Sequence, residues 1–389
     1  MALATGLLCA ASNIAVSTSG FANVEFVPSS NGSAVCIQGN VPVYASTTKN
    51  QNITMPVSAI TNQTVVTETI VEFLMAGEGL KQKILSGTTT VSGTYNINAR
   101  LCYPRNTGIN AHSVQFLTHG GGFDKAYWDI APGYSYVDVA AASGYTTFSY
   151  DRLCTGLSSH PDAHNVCQGP LQLAIAHSLI LMLRNGTFAS TPFKHVIGTG
   201  HSFGSGITNG LTVEYPADLD AAVLTGFTTN FTGQPTFFAS LDLTIANLNN
   251  PIRFGGLSNG YFVANNYVGN QFAFLKGGGF PAANLAFTEA SKQTLTLGEL
   301  LTLGPIIGRA TNFTGPVAVV DGESDWMLCL GNCTVPTDLA AAVLPNLYPN
   351  ASKGSESYLV PLSGHAVNLH YGAQVAFEHI MEFVRKSGF

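Results

Sequence analysis

Apolar and polar positions divide this chain into distinct textures. Residues 20 to 63 are rich in Ser, Thr, Asn, Gly and Pro with little periodicity, which predicts an extended N-terminal lead-in. "VVTETIVEF" (65–73) and "TYNINARLCYP" (94–104) alternate and carry β-branched residues, so both predict antiparallel strands. Further on, short apolar runs take turns with longer helix-like stretches. They read "SVQFLTHGGG", "YSYVDVAAAS", "YTTFSYD", "LQLAIAHSLILMLRN", "KHVIGTGHS", "GSGITNGLTVEY" and "AAVLTGF". A strand buried on both faces is a continuous apolar run, and such strands alternating with helices build a parallel sheet. The expected class is α/β, a mostly parallel sheet opened by antiparallel N-terminal strands.

The rhythm breaks between residues 227 and 311, where Phe and Tyr are dense, charges are sparse and "GGG" stands at 277–279. It resumes with the apolar strands in "GPVAVVDGESD" (315–325) and "ESYLVPLSGH" (356–365), and a last helix runs to about Arg385. An aromatic insertion between two sheet strands predicts a cap (227–311) over the carboxyl edge of the sheet, where α/β proteins bind ligands. Residues 20–226 and 312–389 then form the core. The triple glycine is read as a flexible joint, because no Lys-Ser/Thr follows it as a phosphate cradle requires.

Composition narrows the classes. Of 389 residues, 46% are hydrophobic and 10% charged, which suits a large core and excludes intrinsic disorder. The net charge of −6 and the lack of a basic run argue against nucleic acid as a partner. No apolar run reaches the roughly 18 residues of a transmembrane helix. Sequons at Asn31, Asn52, Asn62, Asn185, Asn230, Asn312, Asn332 and Asn350 suggest a secreted, extracellular protein carrying N-glycans. The apolar start "MALATGLLCAASNIA" resembles a signal peptide over residues 1–19, although it lacks a positive n-region. If Cys9 leaves with that leader, six of the seven cysteines remain, an even number that fits disulfides in an oxidising compartment. Among the possible pairings, sequence neighbours are favoured: Cys154–Cys167 and Cys329–Cys333, leaving Cys36–Cys102. His160 and His164 lie between one such pair, but oxidised cysteines cannot ligate, so no metal and no cofactor are expected.

The chemistry centres on "GTGHSFGSG", which sets Ser202 at G-x-S-x-G spacing between an apolar strand and a helix. That context is the one a nucleophile elbow requires. A serine hydroxyl needs a neighbouring base, and His365 after "PLSG" lies on the loop following the last strand. The acid belongs after the preceding strand; "VVDGESD" offers Asp321 and Asp325, and Asp325 is preferred because it lies past Gly322, free to turn back. Gly121 or Gly122 of "HGGGF" and Phe203 would supply the oxyanion N–H donors. Phe123, Tyr127, Trp128 and Phe227 are candidate pocket residues; His119, His201, His370 and His379 are read as structural.

"HGGGF", "GHSFG", "GESD" and "SGH", in this order, resemble the α/β-hydrolase superfamily. "FDKAYWD", "FSYDRLCTGLSSHP" and "MLRNG" are similar to secreted fungal members of it, although "DRLCTGLS" has Cys154 where many relatives have glycine. The resemblance implies an α/β-hydrolase fold and a secreted serine hydrolase cleaving a carboxylic ester or lactone through an acyl-enzyme. The aromatic, charge-poor insertion favours an apolar or aromatic small-molecule substrate. An acyltransferase or lyase acting on a secondary metabolite through the same triad, and a non-catalytic hydrolase-like binding protein, are the competing readings.

Overall fold

The computed structural model describes residues 17–76, 79–105, 112–189 and 191–389. Residues 1–16, with Cys9 and most of the expected leader, lie outside the described residues. Twelve strands occur among those described: β1 (Ala22–Pro28), β2 (Ala34–Ile53), β3 (Leu85–Pro104), β4 (Ser113–Thr118), β5 (Thr146–Tyr150), β6 (His195–His201), β7 (Ala221–Thr225), β8 (Thr244–Ile245), β9 (Tyr261–Val263), β10 (Leu295–Thr296), β11 (Val317–Gly322) and β12 (Glu356–Val360). Nine form one sheet in the order β1-β2-β3-β5-β4-β6-β7-β11-β12. The first three strands pair antiparallel, β3 meets β5 antiparallel, and every later neighbour is parallel. This is the α/β-hydrolase fold.

The central strands β4, β5, β6, β7 and β11 are buried on both faces. Leu117, Ile197, Val223 and Val320 pack on one side with α3 (Tyr136–Ala142) and the C-terminal helix Ala373–Lys386. Phe116, Val196, Leu224 and Val319, their immediate chain neighbours, pack on the other with α4 (Gly169–Arg184) and α5 (Phe203–Glu214). Because successive residues are buried on opposite faces, these strands lack the apolar–polar alternation of a half-exposed strand. No described helix is long and apolar enough to cross a membrane.

Two expectations need correction. Residues 20–63 are not a lead-in, because most of them form β1 and β2, full members of the sheet. Val41, Val43 and Ala45 are buried alternately with exposed Pro42 and Tyr44, the signature of a strand with one covered face. "VVTETIVEF" is not a strand but lies in α1 (Gln63–Leu74). Asn62 caps that helix by accepting from the Val65 N–H, and Val66, Thr69 and Ile70 line its buried face at helical spacing. A short helix α2 (Leu80–Ile84) follows, and the chain then enters β3, which extends the expected strand 94–104 towards its N-terminus.

Between β7 and β11 run α6 (Gln234–Leu241), α7 (Ala246–Asn249), α8 (Pro251–Phe254), α9 (Tyr267–Phe274), α10 (Ala282–Ser291) and α11 (Leu297–Thr302), with the small β8-β9-β10 sheet among them. Gln63 at the start of α1 is bonded to this segment: its side chain donates to the Leu243 carbonyl and accepts from the Ile245 N–H. Disulfides join Cys36 to Cys102, directly opposite each other on β2 and β3, Cys154 to Cys167, and Cys329 to Cys333.

Candidate active site

β6 ends at His201 and α5 starts at Phe203, which leaves Ser202 alone in the turn. Its φ of 54° and ψ of −114° are strained for a residue with a Cβ, a cost of about 1–3 kcal/mol. The flanking glycines are sterically required. A Cβ on Gly200 would lie 2.4 Å from the Gly204 carbonyl oxygen, and one on Gly204 would lie 2.0 Å from that of Thr118. The Ser202 N–H donates to Thr225 O at 2.9 Å and pins the turn to the end of β7.

The strand ends bring two groups to the hydroxyl. His365, on the loop after β12, has Nε2 2.7 Å from Ser202 Oγ. Its Nδ1 is 2.5 Å from Oδ2 of Asp325, on the loop after β11. A carboxylate facing Nδ1 holds the proton there and leaves Nε2 free to accept from the serine. Asp325 is fixed in turn as the N-cap of α12 (Trp326–Cys329), its Oδ1 accepting from the Leu328 N–H at 2.9 Å. Asp321 is equally buried but accepts from the adjacent Gly322 N–H and does not reach His365. Burial and the nearby Asp325 carboxylate push the Asp321 carboxyl well above the usual range. Cys329 and Cys333 lie close to Asp321, but they are bonded to each other and leave no thiolate to bind a metal.

Gly121 and Phe203 line the cavity in front of Ser202. Neither N–H has a hydrogen-bond partner among the described residues, so both are available to an oxyanion. Gly122 does not line that cavity; its φ of +77° makes the turn, and its carbonyl accepts from the Gln293 N–H. His119 is fully buried and neutral, because burial and the Arg152 charge hold its pKa well below the ordinary value. Its Nδ1 donates to Gly120 O at 2.8 Å and its Nε2 accepts from the Arg152 N–H at 2.9 Å. His201 is likewise buried and neutral, stacked on Tyr127 with ring centroids 4.4 Å apart.

The cavity is walled mainly by Phe73, Phe237, Phe238, Leu295, Leu300 and Met327, with Lys81 and Gln234 also lining it. The candidate pocket residues do not line it. Phe123 packs beneath the glycine loop against Phe274 and Tyr127, while Trp128 is fully buried against Tyr136. The cause is local: Asp124 caps a tight turn over Lys125–Trp128 that folds these rings inward. Phe227 is buried on the opposite side of the sheet from them. No sequence signal pointed to Phe73 or Lys81, which reach the site from α1 and α2.

His370 braces the His365 loop. Its Nδ1 donates to Ala366 O, and its Nε2 accepts from the N–H groups of Gly364 and Lys276. Burial pushes its pKa down to about 4 from the ordinary 6.5. An unfolded imidazole therefore binds its proton first as pH falls, and stability present above pH 6.5 is lost progressively towards pH 4. The loss amounts to about 3 kcal/mol. Urea titrations of the wild type and of His370→Gln between pH 7 and 4 measure it. The wild type is expected to lose stability more steeply, and parallel curves would show that His370 is not the group responsible.

A model of the alpha/beta hydrolase family matches residues 116–378. Among solved structures, the chain is similar to a thermophilic esterase from Thermogutta terrifontis, solved with malate bound. That match has 12% identity and a TM-score of 0.50, over 76% of this chain and 96% of that one. It is also similar to a monoacylglycerol lipase from Paleococcus ferrophilus, with 12% identity and a TM-score of 0.49, over 71% of this chain and 95% of that one. No curated protein matches it. With the family model spanning β4 to the last helix, and the strand order and elbow in place, the chain belongs to the alpha/beta hydrolase family.

Proposed function

We propose that the protein is a serine hydrolase that cleaves a carboxylic ester or lactone of an apolar or aromatic substrate through an acyl-enzyme. The observation that carries this reading is the continuous chain Asp325–His365–Ser202, at 2.5 and 2.7 Å, beside two backbone N–H groups that no described residue pairs. Ser202 attacks the acyl carbon as His365 takes its proton, and Asp325 holds the imidazolium. The Gly121 and Phe203 N–H groups receive the oxyanion; losing one such donor typically costs about 2.7–4 kcal/mol. His365 then returns the proton to the leaving alcohol, and water repeats the sequence on the acyl-enzyme. The apolar wall of the cavity favours a hydrocarbon or aromatic substituent next to the scissile bond.

Secretion belongs to the same reading. Three disulfides fit an oxidising compartment, and the asparagines of seven sequons are exposed, Asn230 alone being half-buried. The likeness of "FSYDRLCTGLSSHP" to secreted fungal members points the same way.

A fluorophosphonate probe and a p-nitrophenyl ester series test the proposal. The expected result is a single adduct on Ser202 and turnover in water that rises with acyl length before the cavity is filled. Absence of the adduct would overturn it. Labelling with turnover only after an alcohol acceptor is added would replace hydrolysis by acyl transfer. Intact mass before and after deglycosylation, on protein from a eukaryotic secretory host, checks the glycans; an unchanged mass would remove that support for secretion.

A further inference from the structure

The "DR" pair at the end of β5 plays no part in the acyl chemistry described above, yet Arg152 is fully buried directly behind the site. Its Nη1 donates to Glu299 Oε1 at 2.7 Å and to Gln172 Oε1 at 2.5 Å. Its Nη2 points at Gly120 O, 3.5 Å away. The guanidinium carbon stands 4.1 Å from the centroid of the Phe203 ring. One planar cation therefore touches both halves of the oxyanion hole, the glycine loop after β4 and the residue after the nucleophile. Its ionic partner, Glu299, comes from α11 in the segment inserted between β7 and β11, and is itself fully buried.

The effect on the donors follows from backbone geometry. Gly120 C=O and Gly121 N–H belong to one planar trans peptide and point in opposite directions. Groups that hold the Gly120 carbonyl back from the site therefore turn the Gly121 N–H towards it. His119 Nδ1 and Arg152 Nη2 both face that carbonyl, and the Arg152 backbone N–H fixes the His119 ring. On the other side, the guanidinium face holds the Phe203 ring, and with it the first residue of α5. Glu299 is locked as the third residue of a capping box: Oε2 accepts from the Thr296 N–H at 3.0 Å while Oε1 accepts from Arg152 and Gln172. Both carboxylate oxygens are thus committed, although Glu299 lines the cavity.

We infer that Arg152 and Glu299 are positioning residues: an ion pair between the core and the inserted segment that orients both oxyanion donors. The inference rests on the serine-hydrolase reading. A pair retained only for stability would be replaceable, because exchanging a buried ion pair for apolar side chains is often neutral or stabilising. Orientation is not replaceable in this way.

Two variants separate these roles. Arg152→Lys keeps the buried charge opposite Glu299 but loses the planar fork and the ring contact. Arg152→Met with Glu299→Leu removes both charges together and leaves neither one unpaired. For each, kcat and KM on a p-nitrophenyl ester, affinity for a boronic-acid transition-state analogue, and melting temperature are compared with the wild type. The expected result is a fall in kcat on the order of 10-fold for Arg152→Lys and 10²-fold for the double variant. KM stays within about twofold, and analogue affinity weakens in parallel with kcat. Wild-type kcat and analogue affinity in either folded variant would overturn the inference. So would a kcat loss that leaves analogue affinity unchanged. If the double variant does not fold, Arg152→Lys alone decides. A wild type inert to both ester and probe would overturn the parent reading and this inference together, whereas an active wild type with unaffected variants overturns this inference alone.

Discussion

Ser202→Ala is expected to lower kcat by on the order of 10⁶, with fold and ester binding retained. The magnitude follows from the unit that Ser202 completes: without its hydroxyl, His365 has no proton to remove and no covalent path exists. The turn does not need the hydroxyl, since it is fixed by backbone bonds to Thr225 O and by the glycines at 200 and 204. Circular dichroism and melting temperature should match the wild type, and the fluorophosphonate adduct should vanish. A variant that keeps even a tenth of the wild-type kcat would place the nucleophile elsewhere.

The two aspartates should behave in opposite ways. Asp325→Asn is expected to cost on the order of 10⁴ in kcat, because an amide at this position favours the wrong imidazole tautomer and cannot stabilise the imidazolium. Asp321→Asn should leave kcat within about threefold, since Asp321 makes no bond to His365. Its effect is on stability. Burial and the Asp325 carboxylate raise the Asp321 pKa in the folded protein, so the folded state keeps a proton that the unfolded chain releases. Stability from this group is complete below the ordinary carboxylate value of 3.8 and declines as pH rises above it. Asn mimics the protonated carboxyl, so the melting temperature of Asp321→Asn should gain on the wild type as pH rises above 3.8. Kinetics that fall for Asp321→Asn but not for Asp325→Asn would reverse the assignment of the acid.

The elements most legible in the sequence were those governed by local rules. The runs at β4, β5, β6, β7 and β11 were readable because a strand buried on both faces is short, mostly apolar and carries no charged residue before its last positions. The elbow was readable because its glycines answer to atoms only a few residues away or on the adjacent strand. α1 was misread because Val65, Val66, Thr67, Thr69, Ile70 and Val71 are β-branched, and their apparent alternation hid the spacing of Val66, Thr69, Ile70 and Phe73. The cap at Asn62 was the signal that should have outweighed them. The burial pattern of β2 was also present in "VPVYAS" but was masked by the polar residues around it.

By itself, the sequence determined that the sheet is mostly parallel, that a candidate nucleophile, acid and base follow one another along the chain, and where the glycine-rich loop lies. Each depends on short-range sterics and on loops that must follow strand ends. Only the tertiary structure decided which aspartate meets the histidine, that Gly121 rather than Gly122 faces the cavity, and which side chains wall it. Those outcomes depend on segments remote in sequence: Phe73 from α1, Phe237 from α6 and Met327 from α12 converge on Ser202, while Phe123 and Trp128, close to the donors in sequence, turn away into the core. The physical reason is that tight turns are fixed by collisions between near neighbours. A cavity is the space left after distant apolar surfaces have packed against one another.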